Sequence, residues 1–185
     1  MKKIVIFNGS PRKDANTTTL LDMIARGARE HNAEVDYKIL FKMKFMACQG
    51  CFNCRIHTDC AINDEITATM EKIKEADAIV IGSPIYFMQV TGPVKNLYDR
   101  LFPLMGEDGA PRYGQKNIVT VYTQEFDDPH MFDMYFDYVA GTFPSFGFVN
   151  ERRLVCTGGN NPDAANNNMN LKQQAYELGR ILAVE

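Results

Sequence analysis

The sequence predicts a doubly wound α/β fold, in which a five-stranded parallel sheet is covered by helices on both faces. Three observations lead to this prediction: short apolar runs rich in β-branched residues recur, segments with helical periodicity separate them, and turn-forming residues end several runs. Strands of a parallel sheet are buried on both faces, and these runs are apolar on both sides as that requires. No repeat or linker divides the 185 residues, so we expect one domain over residues 1–185.

The predicted elements alternate along the chain. The first run ends at Asn8–Pro11, a typical turn signal. Asn63-Asp64-Glu65 is suited to cap a helix, and Gly92-Pro93 is suited to begin one, because proline fits the first helical position. The third strand is expected to stop at Gly82. The five predicted strands are Lys3–Phe7, Val35–Leu40, Ala78–Ile81, Asn117–Tyr122 and Arg153–Cys156. Helical periodicity begins at about Thr17, and it also covers Gly92 to Leu101 and Leu171 to Leu182.

The composition is typical of a globular protein in a reducing compartment. A net charge of −3 creates no field that would attract nucleic acid or an anionic membrane, so neither is expected as a partner. Met1-Lys2-Lys3 precedes only a short apolar run, and no stretch approaches the roughly 18 apolar residues of a membrane span, so we expect a cytoplasmic location. Thiols stay reduced there, so clustered cysteines indicate a metal or redox site rather than disulfides.

The loop between the first strand and the first helix is suited to bind a phosphate. Free backbone N–H groups at a helix N-terminus and the helix dipole both attract an anion. The side chains expected to contact the phosphate are Ser10, Arg12, Asn16, Thr17 and Thr18. The chain has neither a Gly-x-x-x-x-Gly-Lys-Ser/Thr motif nor a Gly-x-Gly-x-x-Gly motif here, which favours a single terminal phosphate. The alternative is that Asn16 and the threonines only cap the helix.

Two motifs make the chain resemble a known family. They are Asn8-Gly9-Ser10-Pro11-Arg12, followed after four residues by Asn16-Thr17, and Gly82-Ser83-Pro84-Ile85-Tyr86. Both are similar to motifs of the NAD(P)H-dependent FMN reductase and iron–sulfur flavoprotein group, and the resemblance runs from residue 3 to about residue 101. It implies a flavodoxin-like fold and a single FMN-binding domain, with a cysteine-rich insert at about 43–62.

The resemblance also implies where the flavin lies. An isoalloxazine ring is flat and largely apolar, so it needs a stacking wall and a few polar partners at its edge. The residues expected around the ring are Pro84, Ile85, Tyr86, Phe87 and Met88, and the loop Thr123–Phe126 is expected to complete the site through Thr123. The alternative for the aromatic loop is ordinary packing at the sheet edge. No side chain is expected to act as a catalytic group, because the chemistry is centred on the flavin.

Four cysteines form a compact motif with the spacing C-x2-C-x2-C-x5-C. They are Cys48, Cys51, Cys54 and Cys60. Three closely spaced thiolates can wrap one corner of a cubane cluster, and the longer last spacing leaves slack for the fourth to return to the same cluster. The resemblance implies a [4Fe–4S] cluster near FMN, held by these four residues. Three alternatives stay open: a structural Zn²⁺ site, a thiol–disulfide pair working with the flavin, and a cysteine loop without metal.

Together these features predict a flavin-dependent oxidoreductase that relays electrons between a [4Fe–4S] cluster and FMN. The expected partners are a ferredoxin-like carrier or NAD(P)H, and a small-molecule electron acceptor. The alternative enzyme is an NAD(P)H-dependent FMN or quinone reductase with no cluster. Two non-enzymatic alternatives are a flavodoxin-type carrier, to which Arg12 and the modest net charge are poorly suited, and a Zn-bearing interaction module. The resemblance further implies a homodimer or homotetramer.

Overall fold

The computed structural model describes residues 1–185 and has helices on both faces of a parallel sheet. The strands are β1 (Lys3–Asn8), β2 (Glu34–Ile39), β3 (Ala78–Tyr86), β4 (Gln89–Val90), β5 (Lys116–Thr123) and β6 (Phe148–Cys156). The α-helices are α1 (Asn16–Glu30), α2 (Asn53–His57), α3 (Glu65–Glu75), α4 (Gly92–Asp99), α5 (Asp133–Ala140), α6 (Ala164–Asn167) and α7 (Met169–Val184). Short 3₁₀ turns cover Leu40–Lys42, Phe102–Leu104 and Phe143–Phe146.

The five long strands are parallel and lie in the order β2-β1-β3-β5-β6, while β4 pairs antiparallel with β3. This order is that of a flavodoxin-like sheet, and the predicted fold class is confirmed. The direction of winding reverses between β1 and β3, so the loops that follow these two strands diverge to opposite faces. Ligands of open α/β sheets bind in the crevice that this divergence opens.

The core divides into two apolar layers because successive residues of a strand point to opposite faces. On β1, Ile4 and Ile6 belong to the layer formed with α1 and α7, whereas Val5 and Phe7 belong to the layer formed with α3, α4 and α5. All four side chains are almost fully buried. Burial of both faces explains why this strand is apolar throughout, and it fixes the loop after β1 between two packed layers.

Helices α1 and α7 cross in close contact through two glycines. A Cβ atom on Gly179 would overlap the carbonyl oxygen of Ile24, and a Cβ atom on Gly27 would overlap that of Tyr176. The two helix backbones can therefore approach only because neither position carries a side chain. This contact holds α1, whose N-terminus faces the ligand crevice, rigidly against the C-terminal helix.

Two predicted strand boundaries are wrong. Strand β3 does not stop at Gly82 but continues through Pro84 to Tyr86. Its pairing with β1 ends at the Asn8–Gly82 pair, so the missing N–H of Pro84 falls where β3 has no partner on that side. Strand β6 begins at Phe148 rather than Arg153, because this edge strand tolerates the polar residues that obscured its first half in the sequence. The predicted helix after Gly92 ends at Asp99, two residues earlier than expected.

Candidate flavin cleft and cysteine segment

The loop predicted to bind a phosphate is held in shape by its own side chains. The Ser10 amide donates to Asn8 Oδ1 at 2.9 Å, and the Arg12 amide donates to Ser10 Oγ at 3.2 Å. Asn8 Nδ2 in turn donates to Thr18 Oγ1 at 3.0 Å. Asn8 and Ser10 are buried, whereas Arg12 is exposed. The loop is therefore fixed at its base and presents an exposed cation at its rim.

The N-terminus of α1 has no internal cap. Ala15 occupies the N-cap position and cannot accept a hydrogen bond through its side chain, and the first turn contains no acidic residue. The backbone N–H groups of Asn16, Thr17 and Thr18 have no acceptor within the chain. Unpaired N–H groups together with the positive end of the helix dipole form an anion site.

Asn16 and Thr17 connect the start of α1 to other loops. Asn16 Nδ2 donates to the Asn161 carbonyl at 2.8 Å, and Asn16 Oδ1 accepts from the Ala165 amide at 2.9 Å. Thr17 Oγ1 lies 2.7 Å from Thr123 Oγ1. Both polar atoms of the Asn16 side-chain amide are thus engaged within the protein, and they hold the start of α1 against the loop after β6. A direct contact between Asn16 and a phosphate stays a prediction.

A cleft at the switch point lies between the ends of β3 and β5 and the loops after β1, β5 and β6. Eight predicted cofactor-binding residues line it: Ser10, Arg12, Asn16, Thr17, Pro84, Ile85, Tyr86 and Thr123. The remaining lining residues are Asp14, Ala15, Gln124, Glu125, Gly159, Asn160 and Pro162. Thr18 does not line this cleft; it faces a second cavity between the phosphate loop, α1 and the end of β2. Whether these residues contact FMN stays a prediction, but the structure brings most of them together.

The loop after β6 also lines the cleft, although none of the predicted site residues lies in it. Gly159 and Asn160 line the cleft, and Asn160 Nδ2 approaches Glu125 Oε2 at 3.3 Å. The Gly159 amide donates to the Gln124 carbonyl at 2.7 Å, which ties this loop to the end of β5. A usable signal was present, because Gly158-Gly159 comes one residue after the fifth predicted strand and ligands bind beyond the strand ends of such sheets.

An apolar recess continues from the cleft. Phe87 and Met88 line it together with Phe126 and Phe132, while Ile85, Gln124 and Glu125 line both spaces. The side chain of Phe87 is 100% exposed and that of Met88 is 53% exposed. Such a concentration of exposed apolar side chains beside a polar anion site suits a ligand with a charged end and a flat apolar end.

Phe87 and Met88 form the tip of the β3–β4 hairpin in a strained backbone conformation. Their φ angles are 47° and 68°, although both are bulky residues that rarely adopt positive φ. Two consecutive positive φ values between paired strands correspond to a type I′ turn, a turn that favours Asn and Gly. Residues held in such conformations occur mainly at functional sites, where the strain is tolerated for the placement it gives.

Gln124 offers an unsatisfied acceptor at the cleft. The residue is 1% exposed, and its Nε2 donates to the Asp128 carbonyl at 2.8 Å. Its Oε1 is buried without any hydrogen-bond partner. A buried acceptor left unpaired costs free energy, so a ligand donor at this point would be favoured. The N–H and hydroxyl groups of FMN supply such donors.

The cysteine segment lies on the surface between the end of β2 and α3. Cys48 and Cys51 are exposed, Cys54 and Cys60 are half-buried, and all four are free thiols. The backbone coils tightly here, with positive φ at Gly50, Phe52 and Thr58. Burial raises the pKa of the Cys54 thiol, and the neighbouring Cys60 and Cys48 raise it further, so these three side chains are electrostatic neighbours.

Two arginines attach the cysteine segment to the residues that follow α4. Arg112 Nη1 donates to the Cys54 carbonyl at 2.8 Å, and Arg55 donates to the Gly106 carbonyl while its guanidinium lies 5.0 Å from the centre of the Phe102 ring. No group of three or more His, Cys, Asp or Glu side chains is arranged to hold one metal ion. A [4Fe–4S] cluster does not require its four thiolates to meet at one metal ion, because each thiolate binds a different iron.

No helix has both the length and the apolar character needed to cross a membrane.

Residues 2–124 match the family model described as NADPH-dependent FMN reductase. An iron–sulfur flavoprotein of Archaeoglobus fulgidus is 46% identical over 100 residues, which cover 53% of this chain and 48% of the relative. An iron–sulfur flavoprotein of Methanocaldococcus jannaschii is 36% identical over 102 residues, covering 55% of this chain and 53% of the relative. The chain thus spans about half the length of the curated relatives it matches.

Solved structures share the fold over nearly the whole chain. The NAD(P)H:quinone oxidoreductase from Methanothermobacter marburgensis superposes with a TM-score of 0.80 at 15% identity, covering 97% of this chain and 98% of that one. An FMN-dependent NADH-azoreductase from Bacillus anthracis, solved in complex with FMN, gives a TM-score of 0.74 at 11% identity, with coverage of 99% and 100%. The family match extends over about two thirds of the sequence and includes both motifs that first suggested it. The chain therefore belongs to the NADPH-dependent FMN reductase family.

Proposed function

We propose that this chain is an FMN-dependent oxidoreductase that connects two-electron chemistry with NAD(P)H to one-electron transfer through a [4Fe–4S] cluster. The observation that carries the flavin part is the uncapped N-terminus of α1 at the base of a cleft between the ends of β3 and β5 and the loops after β1, β5 and β6. The relatives named iron–sulfur flavoprotein, together with four free thiols in one segment, support the cluster part.

At the phosphate end, the chain supplies three kinds of donor. Backbone N–H groups of the first turn of α1 lack acceptors, the hydroxyls of Ser10 and Thr17 lie beside them, and Arg12 can fold over from the rim. The positive end of the helix dipole adds to their attraction for a phosphate. The Thr18 hydroxyl accepts a hydrogen bond from Asn8 and so helps to hold this loop. We propose that Thr18 contacts the phosphate through its backbone N–H and not through its side chain.

At the ring end, the chain supplies an apolar wall and a hydrogen-bond acceptor. Pro84, Ile85 and Tyr86 line the cleft, and the hairpin tip at Phe87 and Met88 stands beside it. The free Oε1 of Gln124 can accept from an N–H or hydroxyl of the cofactor. When bound, FMN accepts two electrons as hydride and can release them one at a time, which is chemistry that no protein side chain supplies.

The cysteine segment would hold the cluster through Cys48, Cys51, Cys54 and Cys60. Soft thiolates are the ligands that iron–sulfur clusters take, and all four are free here. A [4Fe–4S] cluster exchanges single electrons. Helix α4 begins just after the β3–β4 hairpin, and its 8 residues span about 12 Å. Arg100, which follows α4, hydrogen-bonds to Met46 and Asp64 on either side of the four cysteines.

The partners follow from this arrangement. We propose NAD(P)H or a ferredoxin-like carrier as the electron donor and a small molecule as the acceptor, in a cytoplasmic protein without nucleic-acid or membrane contacts. Exposed apolar side chains at Tyr86, Phe87, Met88 and Phe126 surround an open cleft, and a neighbouring subunit of a homodimer or homotetramer would cover them.

A second candidate is an NAD(P)H-dependent FMN or quinone reductase that carries no cluster. The arrangement of the thiols favours it, because Cys48 and Cys51 are exposed and no three ligand side chains are arranged to hold one metal ion. Both candidates share the flavin cleft, so they differ only in the chemistry of the cysteine segment.

Iron, sulfide and FMN content of protein purified without oxygen separates the two candidates. We expect about four irons and four sulfides per chain together with FMN, and an absorbance spectrum that bleaches with dithionite. The Cys54→Ser variant should lose iron and keep FMN. The control variant Cys156→Ala removes a buried thiol of β6, far from the segment, and should keep both. Protein that contains FMN but no iron, even after an attempt to rebuild the cluster, would contradict the proposed cluster and support the cluster-free reductase.

A further inference from the structure

The second cavity lies on the other side of the loop that is predicted to bind the flavin phosphate. Its volume is about 480 Å³, against about 130 Å³ for the flavin cleft, and small-molecule sites occupy roughly 300–1,000 Å³. Ser10, Arg12 and Asp14 line both spaces, so the loop after β1 is the wall between them. The other walls are α1, the end of β2 with the turn that follows it, and the start of α6.

Hydrogen bonds fix the wall that β1, β2 and α1 contribute to this cavity. Asn8 is 2% exposed, and its Nδ2 donates to Tyr37 Oη at 3.2 Å and to Thr18 Oγ1 at 3.0 Å. All three residues line the cavity. The polar groups of this wall are thus already in place, which reduces the entropy that a ligand must lose on binding.

Charged side chains of both signs surround the cavity without neutralising one another. Three cations and three carboxylates line it, namely Arg12, Lys13, Lys42, Asp14, Asp22 and Asp163. None of the six forms an ion pair in the protein. A simple anion would meet repulsion as well as attraction here. The lining is suited to a ligand that carries both phosphate oxygens for the cations and hydroxyl or amino donors for the carboxylates.

The turn after β2 adds an aromatic side chain and a cation that distinguish among such ligands. Phe41 is 46% exposed and lines the cavity, so it offers a surface on which a nucleobase can stack. In dinucleotide sites of doubly wound sheets, a charged residue beyond the first βα unit contacts the ribose, an acid at a 2′-hydroxyl and a base at a 2′-phosphate. Lys42 ends the turn Leu40–Lys42 and occupies the corresponding place in this fold.

We propose that the second cavity binds the adenosine half of NADPH, with the 2′-phosphate at Lys42 and Lys13 and the base against Phe41. This inference rests on the proposed function, which names NAD(P)H as an electron donor. Only one loop separates the cavity from the flavin cleft, so a dinucleotide that crosses this loop presents its nicotinamide end to the cleft. The cavity favours NADPH over NADH, because NADH has no 2′-phosphate.

The test is calorimetric binding of 2′,5′-ADP, the adenosine half of NADPH, to the FMN-loaded protein. The parent is compared with Lys42→Gln, which removes one cation of the cavity and keeps a long polar side chain. Lys44→Gln is the matched control, because Lys44 is exposed on the same segment two positions later and does not line the cavity. Retained FMN shows that each variant is folded.

We expect Lys42→Gln to raise the Kd of 2′,5′-ADP at least about fivefold, because a charge-assisted hydrogen bond to the 2′-phosphate is lost. The Kd of 5′-AMP, which lacks that phosphate, should change by less than about twofold, and Lys44→Gln should match the parent for both ligands. Steady-state kinetics should show the same discrimination, as a larger rise in KM for NADPH than for NADH.

Three results would overturn this inference alone. They are no binding of 2′,5′-ADP to the FMN-loaded parent, equal affinity of the parent and Lys42→Gln, and release of FMN by 2′,5′-ADP, which would place the nucleotide in the flavin cleft instead. A parent that binds no FMN would overturn the proposed function itself.

Discussion

Thr17 Oγ1 and Thr123 Oγ1 lie 2.7 Å apart in a buried hydrogen bond that joins the start of α1 to the end of β5. The two residues are 1% and 5% exposed and both line the cleft. The bond therefore fixes the proposed phosphate site relative to the strand end that carries Gln124. Together with the two hydrogen bonds of Asn16, this contact between small side chains that are distant in sequence holds the lining of the crevice in place.

Removing this contact should weaken both the fold and the cofactor site. The isosteric Thr123→Val substitution leaves the Thr17 hydroxyl buried without its partner, which costs about 1–3 kcal/mol in the free energy of unfolding. We expect the same variant to bind FMN several-fold more weakly. Urea denaturation and quenching of FMN fluorescence measure the two effects. The control Thr142→Val, at an exposed position beyond α5, loses only a hydrogen bond to the Val139 carbonyl, so it should cost at most about 0.5–1.5 kcal/mol and leave FMN binding unchanged.

Relaxing the hairpin tip should stabilise the protein and impair the site. Phe87→Asn/Met88→Gly introduces the residues that a type I′ turn favours, so it should raise the free energy of unfolding by roughly 1–3 kcal/mol. The apolar wall beside the cleft is lost at the same time, so flavin binding should weaken. Thermal unfolding and FMN titration measure these changes. Met134→Gly in α5 is the control, because this side chain is 88% exposed and glycine should destabilise a helix by about 1 kcal/mol. A destabilised hairpin variant would show that these side chains support the fold.

The ion pair of Asp64 predicts a loss of stability in acid. Burial raises the pKa of Asp64, but hydrogen bonds from Arg100 and from the amides of Met46 and Thr67 outweigh it and lower the pKa to about 2. The folded-state pKa lies below the unfolded value, so the stabilisation is present above about pH 4 and is lost as the pH falls toward 2. The difference in the free energy of unfolding between the parent and Asp64→Asn should therefore shrink by about 2 kcal/mol between about pH 4 and pH 2. Denaturation at a series of pH values measures it, and a constant difference would contradict the assignment.

The crossing of α1 and α7 should not tolerate a methyl group. Gly179→Ala places a Cβ against the carbonyl of Ile24, so the helices must separate, at a cost of about 1–3 kcal/mol in the free energy of unfolding. Gly92→Ala is the matched control, because no atom lies within 4 Å of a Cβ at that position. Urea denaturation compares the two. Equal stability of both variants would show that the helices can separate freely.

The sequence predicted the layered fold because its signals are local. Apolar runs such as Ile79–Ile81 and turn residues beside them specify strands whatever their distant partners are. That the loop after β1 and the end of β3 meet at one cleft was predictable for the same reason, since both carry recognisable motifs, whereas flavin binding there stays a prediction. Their convergence then follows from the topology of a parallel sheet.

Features that depend on distant partners were not predictable. The extension of β3 through Pro84 requires that β1 has already ended, which no local pattern reports. The engagement of Asn16 with Asn161 and Ala165 needs the C-terminal loops to fold back over the cleft. Arg100 resembles an ordinary surface cation in the sequence. It is nevertheless buried, and its ion-pair partner is Asp64, which lies 36 positions earlier.

Binding of FMN compared with riboflavin tests the central claim most directly, because the two flavins differ only in the terminal phosphate. The phosphate should meet the free N–H groups of α1 and Arg12, and charge-assisted hydrogen bonds contribute about 1.5–3 kcal/mol each. Fluorescence titration of the flavin-free protein should therefore give a Kd for FMN at least about 100-fold below that for riboflavin. Equal affinity for the two flavins would contradict the placement of the phosphate at the N-terminus of α1.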